Sequence, residues 1–118
     1  MIAISARLSK RFIRRISGQE IVTRYTVGLQ ASLGNQALIL QARGDLDGAM
    51  ALHKEEERIC RELGDPAGLA ISLINQAIIL HPNPEARGLA REAYDTAAGH
   101  GLAALSSQIR PHLERIEG

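Results

Sequence analysis

The chain has 118 residues, a net charge of +1, 45% apolar residues, one Cys, one Phe, two Tyr and no Trp. That length and composition suit one folded domain, and the scarcity of aromatic residues disfavours a sheet core and favours close helix packing. Cys60 alone cannot form an internal disulfide, and the apolar runs fall well short of the roughly 20 residues needed to cross a bilayer, so a cytoplasmic protein is expected.

The net charge conceals an asymmetry. Residues 1–28 hold six basic side chains against Glu20 alone, whereas the remaining ninety hold eight basic and twelve acidic ones. Within the front segment Ile4, Leu8, Phe12, Ile13 and Ile16 share one helical face, ringed by Arg7, Lys10, Arg11, Arg14 and Arg15. An amphipathic basic helix over about 3–16 is expected, with Ser17-Gly18 interrupting it. Residues 1–26 are read as a basic N-terminal segment outside the pattern that follows.

That pattern is an internal repeat. Leu29–Leu40 (LQASLGNQALIL) returns forty residues later as Leu69–Leu80 (LAISLINQAIIL), with eight of the twelve pairs identical, Ser32/Ser72, Leu33/Leu73, Asn35/Asn75, Gln36/Gln76 and Ala37/Ala77 among them. A period of this length carried by helical apolar spacing marks stacked helix pairs that bury their faces against one another.

The first unit spans 27–65. Its first helix ends near Arg43, where Gly44 can take the left-handed conformation, and Asp45 caps a second helix over about 46–63. That helix turns Ala49, Leu52, His53, Glu56, Ile59, Cys60 and Leu63 inward, and Gly64 stops it. The second unit spans 66–101. Asp65 is its cap, Pro66 its first helical residue, and Pro82 and Pro84 end its first helix near His81. A second helix over about 85–98 places Ala90, Ala93, Tyr94 and Ala97 inward. Residues 102–118 form a closing helix with Leu102, Leu105, Ile109, Leu113 and Ile116 on one stripe, and Pro111 is expected to bend or break it. The fold class read from these spans is all-α: an antiparallel helix-turn-helix solenoid of two repeats, a C-terminal capping helix and an N-terminal basic helix.

Leu33, Asn35, Ala37, Leu40, Gly44-Asp45 and Ala49, with Asn75, Ala77, Leu80, Ala90 and Tyr94, resemble the tetratricopeptide repeat (TPR). The forty-residue period and the Glu62-Leu63-Gly64-Asp65 ending resemble the variant found in kinesin light chains and G-protein-signalling modulators. The chain departs from the family at Gln36 and Gln76, where Leu is usual, at Glu56, and at the His81-Pro82-Asn83-Pro84 turn. The resemblance covers about residues 27–101 and implies a protein–protein interaction scaffold of helical repeats, with the C-terminal end of a longer array as the expected context.

It also implies a site: a groove lined by the first helix of each unit, where a peptide or partner helix lies. The candidates are Gly34, Asn35, Leu38 and Gln41, with Ala31 beside them, in the first unit, and Ile71, Ile74, Asn75, Ile78 and His81 in the second. An amide donates and accepts at once, so Asn35 and Asn75 suit an extended backbone; equally, they could tie neighbouring helices together. A stripe of three isoleucines calls for a partner, either a ligand or a second copy of the chain.

Catalysis is not expected. No phosphate-cradling glycine loop, His-Glu-x-x-His motif or strained serine elbow occurs in the sequence, and Ser106, Ser107, His100 and His112 read as turn and surface residues. His53, Glu56, Glu57 and Cys60 share a helical face, but a soft thiolate beside two carboxylates is an unfamiliar zinc set. Glu56 is instead expected to meet Gln36 or an arginine, and Cys60 to act as a small hydrophobe. No cofactor or metal is expected. The alternative function is an adaptor held to an anionic membrane surface or nucleic acid by Arg7, Lys10, Arg11, Arg14 and Arg15.

Overall fold

The computed structural model describes residues 18–118, with side chains described from residue 28 onward. The basic helix expected over 3–16 lies outside the described residues. Those described form five helices and no strand: α1 (Gly18–Ala42), α2 (Leu46–Leu63), α3 (Pro66–Leu80), α4 (Glu85–Gly99) and α5 (Ala103–Glu117). No helix among them is long and apolar enough to cross a membrane. α1 runs without a break across the boundary at residues 26 and 27, joining the end of the front segment to the first unit.

One device sets the helix ends. Gly44 and Gly64 stand at φ +88° and +66°, a region that costs a side-chain-bearing residue strain but not glycine. At each, the following aspartate reaches back with its backbone N–H: Asp45 to the Leu40 carbonyl at 2.9 Å, and Asp65 to that of Cys60 at 3.0 Å. The same aspartates then start the next helix, Asp45 Oδ1 accepting from the Gly48 N–H at 2.9 Å and Asp65 Oδ1 from that of Gly68 at 3.1 Å. Gly101 repeats the stop, with Leu102 N–H on the Ala97 carbonyl at 2.9 Å. Asn83 starts α4 differently, its Oδ1 accepting from the Glu85 N–H at 2.9 Å.

Each helix packs on the next in sequence, and α3 also meets α5. The Cα trace measures 55 × 33 × 19 Å, and its shortest dimension accommodates two helix layers about 9–10 Å apart. The main core joins Ala70, Leu73, Ile74 and Ala77 of α3, Ala86, Ala90, Ala93 and Ala97 of α4, and Ile109, Leu113 and Ile116 of α5. Alanine at all four fully buried positions of α4 lets its axis approach closely, with Leu89 and Tyr94 packed at the margin, while each large aliphatic side chain buried here contributes about 1.5–3 kcal/mol.

α5 closes the end. It buries Ser106, Ile109, Leu113 and Ile116 and leaves Arg110, Glu114 and Glu117 outside; Arg91 holds Glu117 in a fork at 2.8–2.9 Å. Pro111 does not break the helix. It and Ser107, whose carbonyl loses its usual donor, are both exposed, so water can take the bond.

Three expectations need correction. Ile74 is only 6% exposed and belongs to the core, because α5 stands beside that edge of α3. Glu56 meets Gln30 and His53 rather than Gln36, since Gln36 lies on another side of α1. Ser106 is buried, not a surface residue, its hydroxyl donating to the Ala103 carbonyl at 3.0 Å.

Candidate interaction surface on the first helix of each unit

The repeated helix has two faces with separate roles. On α3, Ser72 and Gln76 point at α2: Ser72 Oγ donates to the His53 carbonyl at 2.6 Å, and Gln76 Nε2 donates to Glu57 Oε1 at 2.9 Å. Both side chains are buried, at 0% and 2% exposure. Joining neighbouring helices thus falls to the serine and glutamine. A leucine in place of Gln76 could not satisfy the buried polar groups it would face.

The other face carries the expected site. Ile71, Asn75 and Ile78 follow one another at i, i+4 and i+7, with Ile71 exposed and the other two half-buried. Ala31, Asn35 and Leu38 occupy the same three positions of α1, and all three are exposed. Neither Asn35 nor Asn75 takes part in a side-chain hydrogen bond among the described residues; Asn35 is exposed and Asn75 half-buried. His81 lies exposed just past the end of α3. Gly34, by contrast, faces α2, where the Glu56 carboxylate lies over it. Gln41 is half-buried, and its Oε1 meets no donor among the described residues.

Sequence reasoning did not align α5 with α3. Gly64 and Gly101 are both left-handed, and each is followed by a residue whose carbonyl accepts the N–H four residues on, Leu69 on Asp65 and Ser106 on Leu102. Aligned on those starts, thirty-seven residues apart, Gln108, His112 and Arg115 of α5 correspond to Ile71, Asn75 and Ile78 of α3. Arg115 donates to His112 Nδ1. The signal in the sequence was Gly101, aligned with Gly64, but the two helices share too few identical residues to reveal it.

A cleft of about 340 Å³ opens elsewhere, among Cys60, Arg61, Asp65, Pro66, Leu69 and His100. Burial, then the nearby Asp65 and Glu56 carboxylates, push the Cys60 thiol up to about 12, so the sulfur stays protonated and is a poor nucleophile. His100 Nδ1 donates to the Thr96 carbonyl at 2.8 Å. The four side chains weighed as metal ligands do not converge: Glu57 is held by Gln76 and Arg61, His53 pairs with Glu56 at 3.1 Å, and Cys60 lies against Gly68. Among the described residues no three such groups come together to hold an ion.

Compared with protein-family models, with curated proteins and with solved structures, the chain matches none.

Proposed function

We propose that the chain is a helical-repeat interaction module of the TPR kind, which binds an extended peptide or partner helix along the outward faces of α1 and α3. The observation that carries this reading is the division of labour between two repeated amides. Gln76 is occupied in holding α2, whereas Asn75 and its counterpart Asn35 sit one residue earlier, outward, each with a donor and an acceptor to offer. Exposed Leu38 and Ile71, 47% and 42% accessible, supply the apolar contacts beside them.

A peptide strand needs both a donor and an acceptor for its backbone and apolar pockets for alternate side chains. The two asparagines meet the first need at equivalent points of two successive units. Leu38, Ile71 and Ile78 meet the second. Arg115 and His112 at the α5 end favour an acidic residue or terminal carboxylate in that part of the ligand. No enzymatic step is assigned to this surface.

The test is selection of ligands from a random peptide library displayed on phage against the full chain, followed by affinity measurement for the selected peptides. Asn35→Ala/Asn75→Ala should weaken binding roughly tenfold, as two lost hydrogen bonds of about 0.5–1.5 kcal/mol each imply, without lowering the melting temperature. Selected peptides whose binding ignores that double substitution would remove the surface from the proposal.

A further inference from the structure

The face of α3 that holds α2 is built twice in this chain, and among the described residues only one copy is occupied. Around the bonds from Ser72 and Gln76, Leu73 is fully buried, and Gly68 allows so close an approach that an added Cβ would stand 2.6 Å from Cys60 Sγ. Gly28, Leu29, Ser32, Leu33 and Gln36 stand forty residues before Gly68, Leu69, Ser72, Leu73 and Gln76, identical at every one of the five positions. In α1 four of the five are exposed and Leu33 is half-buried. Leu29 is 50% exposed, Ser32 and Gln36 are exposed and bonded to each other at 3.1 Å, and a Cβ on Gly28 would meet nothing within 4 Å.

We infer that this face of α1 is a docking site for a helix of the α2 type presented by another repeat polypeptide. The required chemistry is set by the occupied copy. Ser32 needs a backbone carbonyl, as Ser72 has in His53; Gln36 needs a carboxylate one turn further along, as Gln76 has in Glu57; and Gly28 accommodates a small side chain one turn beyond that, in the place of Cys60. A helix with the pattern His53-x-x-x-Glu57-x-x-Cys60 meets all three.

Two other occupants fit less well. A second copy of this chain has its own α2 face already covered by α3. Residues 1–17 contain no carboxylate, so they cannot give Gln36 the acceptor that Glu57 gives Gln76. The site is separate from the Asn35–Asn75 surface, and its test is independent of that proposal.

The experiment titrates isotopically labelled full-length chain, under reducing conditions, with a synthetic peptide reproducing residues 44–65. The peptide has blocked termini and is held helical by a covalent bridge between positions 54 and 58, both exposed in α2. Saturable amide shifts should centre on Leu29 to Gln36. Gln36→Ala in the chain, and Glu57→Ala in the peptide, should each weaken binding at least fivefold, while Asn35→Ala/Asn75→Ala leaves it unchanged. The Gln36→Ala chain should keep its melting temperature, so loss of binding is not loss of fold. Any of four results overturns the inference: no saturation at millimolar peptide, binding indifferent to Gln36→Ala, dimerisation of the chain alone that Leu29→Glu abolishes, or peptide binding that appears only when residues 1–17 are deleted.

Discussion

The carboxylate of Glu56 lies so close over the backbone of Gly34 that a methyl group added there would stand 2.5 Å from Oε2. Glu56 is 3% exposed and anchored at both oxygens, by His53 at 3.1 Å and Gln30 at 3.2 Å. Gly34→Ala would gain about 1 kcal/mol of helix propensity. To make room, however, it must displace a buried charged group from two hydrogen bonds worth about 1.5–3 kcal/mol each. With both bonds lost, a net loss of about 2–5 kcal/mol is expected. Gly88, inside α4 with open space where its Cβ would be, provides the control: Gly88→Ala should raise stability by about 0.5–1 kcal/mol. Urea denaturation of the two variants checks the opposite signs.

Identical residues in the two units should also respond differently. Gln76→Ala removes a bond to Glu57 and leaves the buried His53 carbonyl with less company, so a loss of about 1–3 kcal/mol is expected. Gln36→Ala removes only an exposed bond to Ser32 and should stay within about 0.5 kcal/mol of the parent. Ser72→Ala and Ser32→Ala should divide in the same direction. Equal losses in the two units, measured by chemical denaturation, would mean that the α1 face is already covered.

The helix limits were legible because the sequence spells out their stops and starts. Gly64-Asp65-Pro66 places a left-handed residue, a cap and a first helical proline in succession, and α2 and α3 meet there as expected. The face of each repeated helix was less legible. Ile71, Ile74 and Ile78 are one stripe by spacing, but whether Ile74 lies at an open or a closed edge depends on α5, which does not share the forty-residue period. Partnership across helices was the least legible: Gln30 rather than Gln36 reaches Glu56 because of how α1 rotates on α2, and no periodicity contains that angle. The role of Gln76 was hidden for a related reason, since a polar residue among apolar ones declares its purpose only when Glu57 stands opposite.

Cys60 should be silent in the folded chain. With its thiol held at about 12, the thiolate fraction at pH 8 is roughly a thousandfold below that of an ordinary cysteine near 8.5. Alkylation should therefore follow unfolding, rising with urea in step with the loss of helical signal. Linkage sets the pH dependence. The folded state holds its proton more tightly than the unfolded one, so this stabilisation is complete below about pH 8.5 and declines as pH rises toward the folded value. Comparing denaturation of the parent and Cys60→Ala at pH 8 and pH 10 isolates the contribution: the parent should lose more stability over that interval. Parallel losses would count against the raised value.

Ile71 and Ile74, three residues apart on α3, separate surface from core most directly. Ile74 is packed among α3, α4 and α5 at 6% exposure, whereas Ile71 is 42% exposed beside Asn75. Truncation of Ile74 to Ala removes buried methyl groups and leaves a space that alanine-lined α4 is poorly placed to fill, so a loss of about 2–4 kcal/mol is expected. Ile71→Ala should cost less than about 0.5 kcal/mol, because its outer half is already in water. Binding should show the reverse order. A peptide selected on the α1–α3 surface should lose affinity with Ile71→Ala, while under conditions where both variants stay folded Ile74→Ala should bind it nearly as well as the parent. If Ile71→Ala is as destabilising as Ile74→Ala, that stretch of α3 is covered on both sides, and the open stripe on which the peptide is proposed to lie does not exist.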